Sequence, residues 1–465
     1  MSKMSMWKLS ASKVRVAVTV AGILLAGEAS AQDAVNLAAL HGLSPVSALG
    51  NSVAGKAALA DNLAKTGAIQ DGTAQQPTLL PFAAQQQQAL RDAFITGGNA
   101  ADLADGLGSR LGAAYQTKAT YTSADDGQTS HFTSVSPAIA ALIAYANATT
   151  RADARSGKYF FGNATTDKTT PVSAAALAIM SEVSGTTDIF GKMYGRPAGG
   201  PRADPYGNSR PFQTEPHLMP IVGADFFGVA SGNAAYLQGP TQNLTDSPSY
   251  PSGHTTYGYT EALLLALMVP ERYQQMIVRG AEYGNDRIIM GAHYTMDVLG
   301  GRTLALFDLA QMLANKPGYV GVERGRGHQR IDDFRAALAT ARADLTKALE
   351  AGCGGSVATC AAQDQSRFAE PAKNAAFYAS TQTYGLATVF TQNASGVENV
   401  AALAPEAGYL LTVAFPHLTL SQADDILTAT EGPGGGFLDN GSAFGVYSRL
   451  DLYTAAERAA TAVGH

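Results

Sequence analysis

Two adjoining stretches decide the fold of this chain: SYPSGHTTYGYTEALLLALMVP at residues 249–270 and RGAEYGNDRIIMGAHYTMDVLGGR at residues 279–302. In the first, Ser252 is placed to cap a helix that runs to Val269, with Tyr257, Leu263, Leu264 and Met268 as an apolar stripe at helical spacing. Arg272 to Asn285 reads as a second helix. His293 to Leu313 reads as a third, carrying Met296, Leu299, Leu304 and Phe307 on a helical period. Working outward, Asp332 to Ala351 is amphipathic through Phe334, Leu338, Ala341, Leu345 and Leu349, with Gly352 expected to stop it. Ser136 to Ala146 and Ser173 to Ser184 are also helix-compatible, and alternating runs of Val, Ile and Thr are scarce. The expected fold is therefore mainly α.

Chemistry-bearing residues stand in order along these stretches. Ser252 and Gly253 open a helix, where N–H groups lack intrahelical partners and the dipole favours an anion. Gly253 also permits close backbone approach to a ligand. His254 stands at that anion site as a candidate acid. His293 and Asp297 are expected four residues apart on one helix, facing the same way. Asp297 can then fix one imidazole tautomer and raise the basicity of the other nitrogen, which describes an activated nucleophile held by a third group. Arg210 and Arg287 offer planar donor forks that match phosphate oxygens, and Lys192 a point charge. Singly, each has a plainer structural reading. His254 can be an ordinary helix-start histidine, and His293 with Asp297 a helix pair worth a few tenths of a kcal/mol. Together, an anion clamp, a nucleophile and an acid are what phosphoryl transfer requires.

On the Pro-Ser-Gly-His and Asp-Arg…His…Asp motifs, residues 249–302 resemble the type 2 phosphatidic acid phosphatase superfamily, closest in wording to the bacterial class A non-specific acid phosphatases; vanadium haloperoxidases are relatives. The resemblance implies a helical-bundle phosphatase core and a metal-free reaction through a phosphohistidine. His293 would be the nucleophile, Asp297 its orienting partner and His254 the proton donor, with Lys192, Arg210, Ser252, Gly253 and Arg287 binding phosphate oxygens. Two departures stand out. Lys192 and Arg210 are separated by more residues than the family's first motif allows. Either a Gly/Pro-rich insertion, Pro197 to Ser209, bulges between them, or Arg196-Pro197 takes the place of Arg210-Pro211; Arg210 is preferred because Arg-Pro-Phe matches the family wording, and Arg202 lies between them. Asp286 replaces the usual Ser and is expected to point away from the anion or to pair with an Arg. Tyr294 stands where class A enzymes tend to have Trp.

These readings imply a phosphoric monoester hydrolase with an acidic or neutral optimum, acting on a small phosphomonoester without a cofactor. Vanadate is expected as an inhibitor or, in the alternative reading as a vanadium-dependent haloperoxidase, as the cofactor. A net charge of -6 supplies no basic field for nucleic acid. Lys3, Lys8, Lys13 and Arg15, the apolar run Val16 to Ala26, and Ala29-Ser30-Ala31 read as an export signal cleaved near Ala31, hence a periplasmic or secreted protein. The run is well short of the ~20 residues needed to span a membrane. Cys353 and Cys360 are expected to form a local disulfide. The expected organisation is a signal peptide at 1–31, a helical or irregular segment at 32–130, a catalytic core at 131–325 and a C-terminal extension at 326–465 packed on it. In that extension, Glu431 to Gly436 reads as a mobile Gly-rich loop, Tyr447 to Tyr453 as a segment that packs on the core or covers the pocket mouth, and His328 and His417 as surface or packing residues.

Overall fold

The computed structural model describes residues 37–74, 79–93, 100–119, 121–122, 131–161, 178, 208–215, 221–226, 228, 230–232, 237–238, 242–243, 248–325 and 327–462. The signal-like N-terminus, the stretch Ser173–Ser184 apart from residue 178, and Lys192, Arg196 and Arg202 lie outside the described residues. The helices that matter below are α1 (Val53–Gln70), α2 (Phe82–Arg91), α3 (Leu111–Gln116), α4 (Pro137–Phe161), α5 (Gly253–Met268), α6 (Tyr273–Ile289), α7 (Thr295–Leu313), α8 (Phe334–Cys353), α9 (Pro371–Thr383), α10 (Leu420–Ala429) and α11 (Leu452–Thr461). Among the described residues, strands are confined to four two-stranded antiparallel hairpins. The fold is mainly α.

At the centre lies α5. It is buried on every side except at Tyr257, as a helix with apolar residues all round must be. The Ser252 hydroxyl caps it by accepting from the Thr255 N–H at 3.1 Å. It stops at Val269 because Pro270 has no N–H to give and pushes the residue before it out of the helical region. α6 lies along α5, with α4 and α7 on its flanks; α8 packs on α4 and α3, and α9 and α11 on α6. α7 crosses the start of α5 so closely that a Cβ on Gly301 would lie 2.5 Å from the Ser252 carbonyl oxygen, a contact only glycine permits. One hydrophobic cluster runs from Ala39 to Ala459 and draws on all three segments at 32–130, 131–325 and 326–465. Truncating a fully buried member such as Leu264 to Ala removes packing worth about 2–5 kcal/mol.

Several local expectations change. α8 does not stop at Gly352, which lies inside its last turn against Ala114; it stops at Gly354, whose φ of 73° is the left-handed conformation that glycine adopts without cost. α7 begins at Thr295, so His293 precedes the helix and stands in the turn that leads into it. The Gly-rich loop is tied down: the Gly435 carbonyl accepts from Val389 and Phe390 at 2.7 and 2.9 Å, and the Gly432 N–H donates to Arg449 at 2.7 Å. Tyr447 packs edge-on against Phe307 of α7, and its hydroxyl donates to Glu406. Cys353 and Cys360 are bonded, closing the end of α8 onto the short helix Val357–Ala361.

A buried ion network joins the outer segments to α6. The Arg279 guanidinium donates to both carboxylate oxygens of Asp92 at 2.6 and 2.8 Å and to Asp105 at 2.7 Å. Arg367, from the C-terminal extension, donates to Glu282 at 2.6 and 2.7 Å and to Asp105 at 2.8 Å. Burial alone would raise Asp105, but Arg279 and Arg367 outweigh it and hold the carboxyl at about 2. Removing one partner from such a network strands a buried charge, at a cost of about 3–5 kcal/mol.

Other buried carboxyls are pushed the opposite way. Burial, then neighbouring acids, raise Asp102, Asp286 and Asp308 well above the carboxylate range, and burial lifts Asp424 to about 7. A carboxyl with a folded-state pKa above its unfolded value contributes stability that is complete below the unfolded value, about 3.9 for Asp, and is lost as pH rises through the folded value. Asp105 acts in the reverse sense, but its contribution is already complete above about pH 4. His254 and His293, held below the usual histidine value, act in the opposite sense over this range, so the carboxyl contribution is read as a difference between proteins: Asp308→Asn is expected to lose less melting temperature than the wild type as pH rises from about 5 to about 8. Parallel melting-temperature profiles for the two proteins over this range would refute the assignment.

Candidate active site

The residues singled out at 249–254 and 287–297 meet where α5 and α7 begin. His254 is the second residue of α5 and His293 stands two residues before α7. Their ring centroids are 6.1 Å apart, and both rings are buried. Asp297, in the first turn of α7, accepts the Tyr294 N–H at 2.8 Å and so holds the helix start. The same Oδ2 accepts the Ser249 hydroxyl and lies 3.5 Å from His293 Nδ1. Ser249 Oγ itself lies 3.3 Å from Nδ1, between ring and carboxylate. The expected pairing of His293 with Asp297 thus runs largely through a serine hydroxyl, and the two residues do not share a helix.

The tautomer of His293 follows from its other nitrogen. Arg210 Nη1 lies 3.0 Å from Nε2, and a guanidinium can only donate. Nε2 must then be the acceptor, and the ring proton sits on Nδ1, facing Ser249 and Asp297. Arg210 is fixed by donating to the carbonyls of Ala292 at 3.0 Å and Pro248 at 3.3 Å, while the Phe212 N–H donates to Gly291. Asn208 completes this strip: its side-chain oxygen accepts the N–H groups of Ser249 and Tyr250 at 3.1 Å. Of the three arginines weighed for the first motif, Arg210 is therefore the one the described residues place against His293.

Arg287, near the end of α6, is buried completely, and none of its three guanidinium nitrogens has a hydrogen-bond partner among the described residues. The same is true of His254 Nε2. Ser252 has its backbone N–H engaged with the Asp297 carbonyl at 3.0 Å and its hydroxyl oxygen with Thr255 N. Its O–H proton remains to be donated, and Gly253 and His254 bring the N–H groups of a first helical turn. Asp286 faces Asp92, Glu282 and Arg279 on the far side of α6, as expected for an acid beside an anion-binding arginine. Lys192 is outside the described residues, but a second lysine reaches this place. Lys158, buried in the last turn of α4, has its Nζ 3.5 Å from where a Cβ on Gly253 would stand.

Burial first, then surrounding cations, set the electrostatics. Both imidazoles are held well below the usual histidine value, His254 by Arg287, Lys158 and Arg210 and His293 by Arg210, Lys158 and Arg287. Burial lowers Arg287 to about 10, which leaves it charged near neutrality. His254, His293 and Lys158 are each pressed towards the neutral form first by burial and then by neighbouring cations, whereas Arg287 is lowered by burial alone. Among the described residues, no group of three His, Cys, Asp or Glu side chains is placed to hold a metal ion. His328 and His417 are elsewhere, the first 3.1 Å from Glu323 in an exposed turn and the other bonded to the Ala459 carbonyl.

Sequence reasoning missed Ser249, Asn208 and Lys158. Ser249 was readable only as the residue before Tyr-Pro-Ser-Gly-His, and nothing local marks a serine or an asparagine as a partner of residues over forty positions away.

Residues 172–313 match the family model described as the PAP2 superfamily. Over 102 residues the chain is 37% identical to the non-specific acid phosphatase of Salmonella typhimurium, covering 22% of this chain and 34% of that protein. It is 34% identical over 107 residues to the acid phosphatase of Zymomonas mobilis, 23% and 34% of the two chains, and 37% identical over 90 residues to the non-specific acid phosphatase of Providencia stuartii, 19% and 35%. The chain thus spans about a third of the length of these relatives. The matched region contains both histidines, Arg210, Arg287 and Asp297, and it does not reach Lys158.

If Arg210 sets the tautomer of His293, ring nitrogen NMR on the wild-type protein is expected to show the proton on Nδ1. Arg210→Met is expected to let the Nε2–H form rise. A wild-type spectrum dominated by Nε2–H would contradict the donor assignment.

Proposed function

We propose that this protein is an exported acid phosphatase that hydrolyses small phosphomonoesters through a phosphohistidine, without a metal. The observation that carries this reading is the Arg287 guanidinium, buried beside two neutral histidines with no hydrogen-bond partner among the described residues. Leaving donors of a charged group unpaired in a protein interior is costly. A phosphoryl group offers the oxygens that such a planar fork accepts, and the first turn of α5 adds N–H groups to them.

With the phosphorus about 3–3.5 Å from His293 Nε2, the leaving oxygen falls within reach of His254 across the 6.1 Å between the rings. The Nε2 lone pair attacks phosphorus as the P–O bond to the alcohol breaks, and His254 gives its proton to the departing oxygen. Positive charge arising on the His293 ring is stabilised through its Nδ1–H by Ser249 and Asp297. Water then attacks the phosphohistidine, His254 takes the water's proton, and the P–N bond breaks to release phosphate. Arg210 and Arg287 neutralise the phosphoryl oxygens throughout. Export rests on the basic and apolar N-terminus and on the Cys353–Cys360 disulfide, a bond that persists in oxidising compartments.

Purified protein is expected to hydrolyse 4-nitrophenyl phosphate at an unchanged rate in chelator, and vanadate to inhibit by filling the same pocket. His293→Ala should abolish turnover. His254→Ala should cost about 10²–10⁴-fold, more on alkyl than on aryl esters because alkoxides leave less readily. Since His254 must be protonated to act and its pKa is held below the usual value, kcat/KM is expected to rise as pH falls from about 8 to about 5. Full activity in His293→Ala, or loss on chelation, would sink the proposal.

A further inference from the structure

We propose that Arg151 and Arg155 of α4, with the ring of Tyr257 beside them, form an outer subsite for a second phosphate group on the alcohol side of the substrate, so that bisphosphates are preferred to simple monoesters. The proposal rests on the phosphatase reading above and names the substrate class of that same site.

The placement follows from how α4 packs on α5. The two helices run antiparallel, and contacts at two levels fix their register. Asn147 of α4 donates to Glu261 of α5 at 2.6 Å. Near the end of α4, a Cβ on Gly157 would stand 3.3 Å from Pro251 Cδ, and Lys158 Nζ lies 3.5 Å from where a Gly253 side chain would begin. Residues 147, 151, 155 and 158 are spaced by four, four and three positions, so they share one side of the helix, and the two arginines fall between the two levels of contact. Facing them on α5 is Tyr257, four residues before Glu261 and three after His254, the one residue of α5 that is not buried. Burial pushes the Tyr257 hydroxyl up to about 12 against the opposing pull of Arg151 and Arg155, which sets both guanidiniums near that ring.

Helix α4 keeps its charges apart. Asp153 is buried on another side, with Asp308 and Arg324 as its neighbours. Arg151 and Arg155 are exposed, and neither has an ion pair among the described residues. Like charges at i, i+4 disfavour a helix, and this pair stands at the rim of a pocket that already holds Arg210, Arg287 and Lys158. The carboxylates in reach are engaged elsewhere, Asp297 by the Tyr294 N–H and the Ser249 hydroxyl and Glu261 by Asn147. A phosphoryl group at His293 answers the inner cations. The outer pair presents two more planar forks of the kind that phosphate oxygens accept.

The course of the proposed reaction brings such a group there. The leaving oxygen meets His254, and the alcohol continues beyond it, away from His293. The next turn of α5 on that side presents Tyr257, an apolar wall with a polar tip. Arg155 and Arg151 lie about 4.5 and 10.5 Å from Lys158 along the α4 axis, so a second phosphate a few carbons from the first comes within their reach.

The test compares kcat/KM for α,ω-alkanediol bisphosphates of about two to eight carbons with that for the matching hydroxyalkyl monophosphates. The proteins are the full-length wild type, Arg151→Gln/Arg155→Gln and Arg151→Lys/Arg155→Lys. Wild type is expected to favour the bisphosphate at least about tenfold per hydrolysable phosphate at one optimal length, the Gln pair to bring that ratio to within about twofold of unity, and the Lys pair to keep part of it. A wild-type ratio near unity at every length, or a ratio that the Gln pair leaves unchanged, overturns the subsite, while turnover of the monophosphates leaves the phosphatase reading standing. A preference equal at every chain length is the general pull of a basic surface and overturns the subsite as well. A wild type that hydrolyses neither ester overturns the phosphatase reading, and the subsite with it.

Discussion

A buried guanidinium with no hydrogen-bond partner among the described residues is an expense that the surrounding fold has to offset, and Arg287 organises this structure around that need. The offset is built into α6. Arg279, Glu282 and Asp286, spaced i, i+3 and i+7, share one face and meet Asp92, while Tyr283 and Arg287, spaced i, i+4, share another. The face with Arg279 carries an acid-rich layer closed by Arg279 and Arg367, and the face with Arg287 borders the cation-rich pocket. Asp92 helps keep Arg287 charged against its burial. The N-terminal segment and the C-terminal extension both enter this layer, through Asp92, Asp105 and Arg367. The N-terminal segment also bears on the pocket directly, since Asn62 and Thr66 accept from Thr295 and Met296 at the start of α7.

On the opposite wall Asp297 does the corresponding positioning. One carboxylate oxygen takes the Tyr294 N–H, which fixes where α7 begins, and the Ser249 hydroxyl, which fixes the loop before α5. The Asp297 backbone carbonyl takes the Ser252 N–H. Both helix starts are thus referred to one residue, and His293 and His254 hang from those starts. Placing catalytic candidates at or just before the starts of two tightly packed helices keeps their separation insensitive to motion elsewhere.

What was legible in the sequence was local. Ser252 as a cap and Pro270 as a stop concern residues within a turn of the features they control, and α5 forms where they say. The histidines, Arg287 and Asp297 were legible because their spacings are short enough to be set by single helices and turns. Reading His293 and Asp297 as one helical pair failed because a helix start is decided by who accepts the first N–H groups. Here Asp297 reaches back to Tyr294 and makes that residue the boundary. Gly352 looked like a stop by composition, whereas Gly354 is the one with a positive φ; packing against Ala114 keeps Gly352 helical. Ser249 and Asn208 were illegible for a different reason. Their contacts join distant elements, and a serine or an asparagine in a loop carries no local mark of what it will meet.

Arg210 joins the two halves of the site in a way that bears on the order of events. Its N–H points at the same Nε2 lone pair that would attack phosphorus, so the candidate nucleophile is engaged by one of the groups that would bind the substrate. A phosphoryl oxygen, carrying charge, is the stronger acceptor for that N–H than a neutral imidazole. In the proposed reaction, an arriving anion would draw the guanidinium off Nε2 and expose the lone pair, while its charge would raise the depressed pKa of His254 and favour the proton that the leaving group needs. In the proposed reaction, neither the nucleophile nor the acid is ready before the substrate is in place. On the proposed mechanism, Arg210 would thus couple phosphate binding to the readiness of both histidines.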